Sequence, residues 1–146
     1  SVSSAIEIDL SNFDTSKVKY MESMFKDCYS LTSLNLTNFS TSSLLRMQKI
    51  FSGCYSLVSL DFPNFETSSI TNMDSVFNDC FSLTSLNITH FITDNVINMN
   101  KMFCHCSTLK VFDKCIIYQR NTIKYYFNIN KKKHFENFIF GFKVDI

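Results

Sequence analysis

A period of 26 residues runs through most of the chain and constrains its fold more than any other feature. A methionine, a phenylalanine, a cysteine and a leucine each recur at this interval. The four columns are Met21, Met47, Met73 and Met99; Phe25, Phe51, Phe77 and Phe103; Cys28, Cys54, Cys80 and Cys106; and Leu31, Leu57, Leu83 and Leu109. A unit this short cannot bury its apolar side chains alone, so the sequence predicts stacked units that share a continuous core.

Each unit combines two hydrophobic patterns. The first has the i, i+3, i+4, i+7 spacing of a helix with one apolar face, at Met21, Met24, Phe25 and Cys28. The second alternates apolar and polar residues, as in a short strand with one buried side. The predicted fold is an α/β solenoid with parallel strands on one face and short helices on the other. We expect the cysteines to be core residues without a disulfide ladder, because packed helices lie roughly 8–10 Å apart.

The order of motifs within a unit resembles a known family. The motif N-F-x-T-S-x-V occupies residues 12–18, and M-x-x-M-F-x-x-C-x-S-L occupies residues 21–31. Together with an L-x-L strand, these resemble the BspA-like leucine-rich-repeat family in its 26-residue surface-protein variety, over residues 5–112. The resemblance implies a leucine-rich-repeat solenoid at the cell surface or in secreted form. It also implies adhesion or binding to protein partners, either host proteins or neighbouring surface proteins. We expect no nucleic-acid partner.

A change in composition divides the chain into two parts. Residues 1–115 hold the repeats, the first of them partial, and carry a net charge of −3, whereas residues 116–146 carry +4 and are rich in aromatic residues. We expect the second part to cap the exposed core of the last repeat, as solenoids require. The alternative is a structural subunit of a large assembly that docks through this segment, at Tyr125, Tyr126, Lys131, Lys132 and Lys133.

A polar column is predicted on the outward side of the strands. Its members, one per unit, are Asp9, Asn35, Asp61, Asn87 and Asp113. Alternation of aspartate with asparagine separates like charges that would otherwise face each other across neighbouring strands. The column is either an ordinary solvated face or a binding surface on the concave side of the solenoid.

Few residues are typical of an enzyme, and we expect no catalytic activity and no cofactor. None of the three histidines lies beside a nucleophile in a known motif. Cys104, His105, Cys106 and Cys115 are close in sequence, but they lack the paired C-x-x-C spacing of structural zinc sites, so we expect no metal. A disulfide between Cys104 and Cys115 is an alternative in an oxidising compartment. The enzyme hypothesis would need a pocket that gathers Cys104, His105 and an acidic residue.

Two further patterns concern the location of the protein. The apolar runs are too short for a transmembrane helix, and residues 1–10 lack the basic and apolar layout of a signal peptide. Asn35, Asn38 and Asn87 fit the acceptor pattern for N-glycosylation. That pattern matters only if the chain passes through a eukaryotic secretory route.

Overall fold

A computed structural model of the chain describes residues 6–8, 10, 12–88, 91–109, 116–119 and 122–126. These residues contain no α-helix. Their strands are β1 (Ile6–Ile8), β2 (Leu31–Leu34), β3 (Ser59–Asp61), β4 (Ser85–Asn87), β5 (Ile116–Gln119) and β6 (Thr122–Tyr126).

The first four strands come from successive repeats and pair in parallel. β1 pairs with β2, and β3 pairs with β4. The backbone N–H of Val58, just before β3, donates to the carbonyl of Thr32 in β2 (3.1 Å) and joins the two pairs. β5 and β6 form an antiparallel hairpin at the start of the segment 116–146.

The stretch predicted to be a helix, residues 21–28, is instead a succession of hydrogen-bonded turns. The N–H of Met24 donates to the carbonyl of Met21 (3.4 Å), and the N–H of Cys28 donates to that of Phe25 (3.3 Å). The third residue of each turn, Ser23 or Asp27, has a φ near 60°. This left-handed value suits such a turn and breaks an α-helix. Two successive four-residue turns produce the same i, i+3, i+4, i+7 spacing that predicted the helix.

Backbone hydrogen bonds join these turns from one unit to the next. The N–H groups of Ser23, Phe25 and Asp27 donate to the carbonyls of Gln48, Ile50 and Ser52, at 2.8 to 3.1 Å, and the two following units repeat the arrangement. We call residues 20–28, 46–54, 72–80 and 98–106 the turn segments, and the whole set the turn ladder. Backbone pairing of this kind spaces neighbouring units by about 4.8 Å, much closer than the helix packing we expected.

The apolar columns form the core, as their spacing predicted. The rings of Phe25, Phe51, Phe77 and Phe103 stack with centroids 5.5, 5.7 and 5.4 Å apart. The methionine and leucine columns lie on either side of these rings, buried except for the half-buried Leu109. A second phenylalanine column, Phe39, Phe65 and Phe91, is also buried.

Two columns of polar side chains bond neighbouring units to each other. The thiols of Cys54, Cys80 and Cys106 donate to the carbonyls of Phe25, Phe51 and Phe77, at 3.0 to 3.2 Å. The hydroxyls of Thr15, Thr41 and Thr67 each bond to one residue of the next unit. Each donates to the carbonyl of that residue and accepts from its N–H. The five cysteines within the described ranges are free thiols.

Candidate binding surfaces

The predicted polar column lies on the exposed side of the strands. Asn35, Asp61 and Asn87 are exposed, and Asp61 is the direct partner of Asn87 across β3 and β4. A row of exposed serines, Ser33, Ser59 and Ser85, lies beside them. We call these six residues the strand face. Asp9 and Asp113 lie outside the described residues.

Side-chain hydrogen bonds fix part of the strand face. The carboxamide oxygen of Asn35 accepts from the N–H of Thr37 (3.0 Å) and from its hydroxyl (2.8 Å), which holds the chain in a turn after the strand. Asp61 accepts from the N–H of Phe62 (2.9 Å). Of the six side chains, only that of Asp61 is charged, so the face offers a partner mainly neutral hydrogen-bonding groups. Asn38, the remaining acceptor of the glycosylation pattern, is also exposed.

Exposed aromatic rings form a second row, at the end of the turn segments. The ring centroids of Tyr29 and Tyr55 are 4.8 Å apart, and those of Tyr55 and Phe81 are 5.1 Å apart. The imidazole of His105 continues the row by stacking on Phe81 at 6.2 Å. The nearby carboxylate of Asp27 raises the pKa of Tyr29. Sequence analysis missed this row, although an aromatic residue directly follows the cysteine in three units.

A polar groove of about 660 Å³ crosses the turn ladder. Two of its carboxylates, those of Asp27 and Asp79, contact a basic neighbour. Lys26 contacts Asp27 at 2.9 Å, and this hydrogen bond raises the pKa of Lys26. Nδ1 of His105 lies 2.5 Å from Oδ1 of Asp79. The lining holds three lysines and three aspartates, so the groove offers no excess of either charge to a ligand.

The groove does gather the three residue types that the enzyme hypothesis required. Asp79, Cys104 and His105 all line it. However, burial raises the pKa of the Cys104 thiol, and the carboxylate of Asp79 raises it further. A nucleophilic cysteine needs the opposite shift, because the thiolate is the reactive form.

The cysteines and histidine considered for zinc do not form a site within the described ranges. Cys106 donates its thiol proton to the carbonyl of Phe77 in the core, while His105 is exposed and faces Asp79. Cys115 lies outside the described residues, and so the alternative disulfide with Cys104 does too. Across the residues that the structure describes, no group of three or more His, Cys, Asp or Glu side chains could hold a metal ion.

The predicted docking residues fall mostly beyond the described part of the chain. Tyr125 and Tyr126 belong to β6, opposite Ile117 and Ile116 of β5. Lys131, Lys132 and Lys133 lie outside the described residues. The docking site at these five residues therefore stays a prediction.

One family model matches the chain over almost its full length. It is described as "Mycoplasma protein of unknown function, DUF285", and it matches residues 1–62 and again residues 31–139. The chain belongs to this family. No curated protein and no solved structure matches this DUF285 chain. Within its described residues, no helix has the length and apolar character to cross a membrane.

Proposed function

We propose that this DUF285 chain is a leucine-rich-repeat solenoid of the BspA-like kind and serves as a non-catalytic module for protein binding or adhesion at the cell surface. The solenoid is supported by the parallel strands and the turn ladder, which join residues about 26 positions apart. The surface role is supported by the family, which is associated with BspA-like surface repeat proteins.

The strand face is the observation that carries this proposal. Its six side chains are exposed and uniformly polar, and in β3 and β4 they lie in register, with Ser59 opposite Ser85 and Asp61 opposite Asn87. Neighbouring strands are about 4.8 Å apart, so the same hydrogen-bonding groups recur at short, regular intervals. Repeat proteins use extended faces of this kind to bind other proteins.

The groove supports the non-catalytic part of the proposal. Its thiol, on Cys104, has a raised pKa and stays protonated near neutral pH. The imidazole beside it faces the carboxylate of Asp79. These residues therefore lack the thiolate that acyl transfer by a cysteine enzyme needs.

Burial in the last turn segment supports a cap formed by residues 116–146. Met99, Met102 and Phe103 are buried although no further unit of the 26-residue pattern follows them. An uncapped solenoid would expose such side chains. We therefore favour the cap over the assembly-docking role for this segment.

The binding proposal is tested by changing the strand face and a matched surface by the same charge. The face variant carries Asn35→Lys, Asp61→Lys and Asn87→Lys. The control carries Ser42→Lys, Ser68→Lys and Asp94→Lys, three exposed positions in another column. Wild type and both variants are used to capture proteins from cell-surface extracts, which are quantified by mass spectrometry. We expect the face variant alone to lose the partners, while its thermal unfolding stays close to that of the control.

Equal recovery by the two variants would refute binding through the strand face. A chain without residues 116–146 separates the cap from a docking element. As a cap, the segment contributes stability, so its removal lowers the unfolding temperature and increases exposure of the last turn segment to hydrogen exchange. A deletion variant that keeps its unfolding temperature but loses its partner would favour the assembly role.

A further inference from the structure

Four stacked rings lie on the surface at the end of the turn segments. They are those of Tyr29, Tyr55, Phe81 and His105, and we call them the aromatic row. The first three side chains are 51, 42 and 41% exposed. A contiguous group of exposed apolar side chains is a common mark of a binding surface. Binding through the strand face, as proposed above, leaves this row unused.

The rings of the aromatic row stack less completely than the phenylalanines of the core. Tyr29 and Tyr55 are tilted by 43° to each other, and Tyr55 and Phe81 by 59°. Neighbouring rings in the core column that contains Phe51 are tilted by only 2 to 6°. The larger tilt leaves part of each ring face uncovered by its neighbour. Such a face carries the partial negative charge of the π system and attracts C–H groups of a ligand, which bear a slight positive charge.

The polar groove adjoins the aromatic row. His105 belongs to both, and Asp27, which lines the groove, lies close enough to Tyr29 to raise the pKa of its hydroxyl. The groove volume of about 660 Å³ lies within the range of ligand sites in proteins, about 300–1,000 Å³. The row and the groove therefore form one continuous surface, apolar along one side and polar along the other.

The groove offers a ligand both hydrogen-bond donors and acceptors. Its donors include the ammonium groups of Lys49 and Lys101, which have no hydrogen-bond or ion-pair partner among the described residues. Its acceptors include the carboxylates of Asp74 and Asp79. A charged ligand would be attracted by one set of these groups and repelled by the other. A neutral ligand rich in hydroxyl groups uses both sets, because each hydroxyl donates and accepts.

We propose that the aromatic row and the groove bind a neutral linear glycan of the cellulose or chitin type, in which equatorial bonds join the sugars into an extended chain. Each sugar ring of such a polymer has an apolar C–H face, which packs on the aromatic rings, and a rim of hydroxyl groups, which bond within the groove. The centroids of Tyr29, Tyr55 and Phe81 recur at 4.8 and 5.1 Å. Successive sugars of an extended chain recur at close to the same interval, so each meets an aromatic ring.

The glycan site is separate from the strand face. The row and the groove share no residue with the six residues of that face. Either proposal can therefore fail without the other.

Cellohexaose and chitohexaose serve as probes of the full chain, and maltohexaose is the control ligand. Cellohexaose and maltohexaose have the same sugars and the same length, but their linkages make the first extended and the second coiled. Isothermal titration calorimetry measures the binding of each at millimolar concentrations under reducing conditions. We expect an extended glycan to bind and maltohexaose to bind at least about tenfold more weakly, because a coil cannot keep successive sugars on successive rings.

Variants of the aromatic row test the apolar side of the site. Tyr55→Ala removes the middle ring and should weaken glycan binding about tenfold, as loss of one aromatic contact predicts. Tyr55→Phe keeps the ring and should bind within about twofold of wild type. Tyr20→Ala is the control, since Tyr20 is a tyrosine outside the row that is 56% exposed. Circular dichroism checks that each variant is folded, and Tyr29→Ala replaces Tyr55→Ala if the latter unfolds.

Charge and hydrogen bonding test the polar side of the site. Lys49→Met removes one donor of the groove and should weaken glycan binding about threefold to tenfold, as loss of one hydrogen bond predicts. A hyaluronan hexasaccharide, which is also extended but anionic, should bind no more tightly than the neutral probes. Tighter binding of hyaluronan that falls steeply with salt would instead assign the groove to an anionic ligand and overturn the proposal.

Two further results would overturn the proposal. The first is that neither cellohexaose nor chitohexaose binds. If Tyr55→Ala then also loses a protein captured from cell-surface extracts, the aromatic row is assigned to a protein partner. The second is equal affinity, either of maltohexaose and the extended glycans or of wild type and a folded Tyr55→Ala variant. Equal affinity would show that the bound sugar does not lie along the row.

Discussion

The first and second units of the stack share one sequence pattern but differ in what they bury. Phe39 of one unit is 1% exposed, whereas Phe13, its equivalent 26 residues earlier, is 58% exposed. The motif alone therefore does not bury a residue. Among the described residues, Phe39 has a neighbouring unit on each side, whereas Phe13 has one on its downstream side only.

The difference between the two units concerns contacts on their upstream sides. Among the described residues, the first unit bonds to the second by the same pattern that joins the later units. Thr15 bonds to Ser40 through its hydroxyl just as Thr67 bonds to Ile92. Mutations should therefore separate contacts made to the preceding unit from contacts made to the following one.

The phenylalanines should show the largest difference between units in the free energy of unfolding that a substitution removes. Phe51 stacks between Phe25 and Phe77 and is fully buried. We expect Phe51→Ala to lower the free energy of unfolding by about 3–5 kcal/mol. Phe13→Ala should lower it by less than about 1 kcal/mol, as for surface positions. Urea unfolding measures both, and equal losses would contradict the difference in burial.

Substitution of a buried threonine should lower the free energy of unfolding equally in the first unit and in a later unit. Thr67→Val removes a hydrogen bond to the carbonyl of Ile92 and another from its N–H. We expect a loss of about 1–3 kcal/mol, because two backbone groups are left without their partner. Thr15→Val removes the equivalent pair of bonds and should cost about the same. If the two losses in urea unfolding differ by more than about 1 kcal/mol, upstream neighbours also support the forward bonds.

Substitution of a glycine at the junction of the first and second units should cause a smaller loss of stability. Gly53 has a φ of +77°, and an added Cβ would collide with the side chain of Asp27 in the first unit. We expect Gly53→Ala to cost about 1–2 kcal/mol from the left-handed backbone alone. The collision adds to this cost. Repeating the substitution in an Asp27→Ala background separates the two causes, because only the collision is relieved there; an unchanged cost would show that the backbone dominates.

Sequence reasoning placed most side chains of the core correctly, with Met24, 44% exposed, as an exception, but it assigned the wrong backbone to part of the core. Spacing records which residues point inward, and two successive turns place Met21, Phe25 and Cys28 inward as a helix would. Two successive turns differ from a helix in the residue types found at the positions with left-handed φ. Asp27, Gly53 and Asp79 occupy one of them, and these residue types tolerate that conformation better than most.

The candidate sites, like the core, were predicted only in part from the sequence. Exposure of Asn35, Asp61 and Asn87 follows from strand alternation and was predicted from sequence. The groove was not, because its walls combine side chains from several units that only the stacking brings together.

Cysteine ionisation should affect stability only at alkaline pH. Burial raises the pKa of Cys54 from its ordinary value near 9 to about 12. Between these values the unfolded chain loses the thiol proton while the folded chain keeps it, so ionisation favours unfolding. The stabilisation is complete below about pH 9 and is lost as the pH rises to about 12.

The effect is measured as the difference in unfolding midpoint between wild type and Cys54→Ala, which should shrink as the pH rises above 9. A difference that grows with pH would contradict the assignment. A thiol reagent at pH 8 extends the comparison of units, since Cys28 of the first unit is only half-buried. We expect it to be labelled before Cys54.

The turn ladder also determines how the molecule would respond to a mechanical load. Its hydrogen bonds point from each unit to the next, so a force along the stack pulls on all the bonds of a junction together. The junctions follow one another in series, and the weakest of them opens first. Each unit that opens releases 26 residues, or about 90 Å of extended chain. Under tension along the stack, such a protein would lengthen in discrete steps, one for each junction that opens.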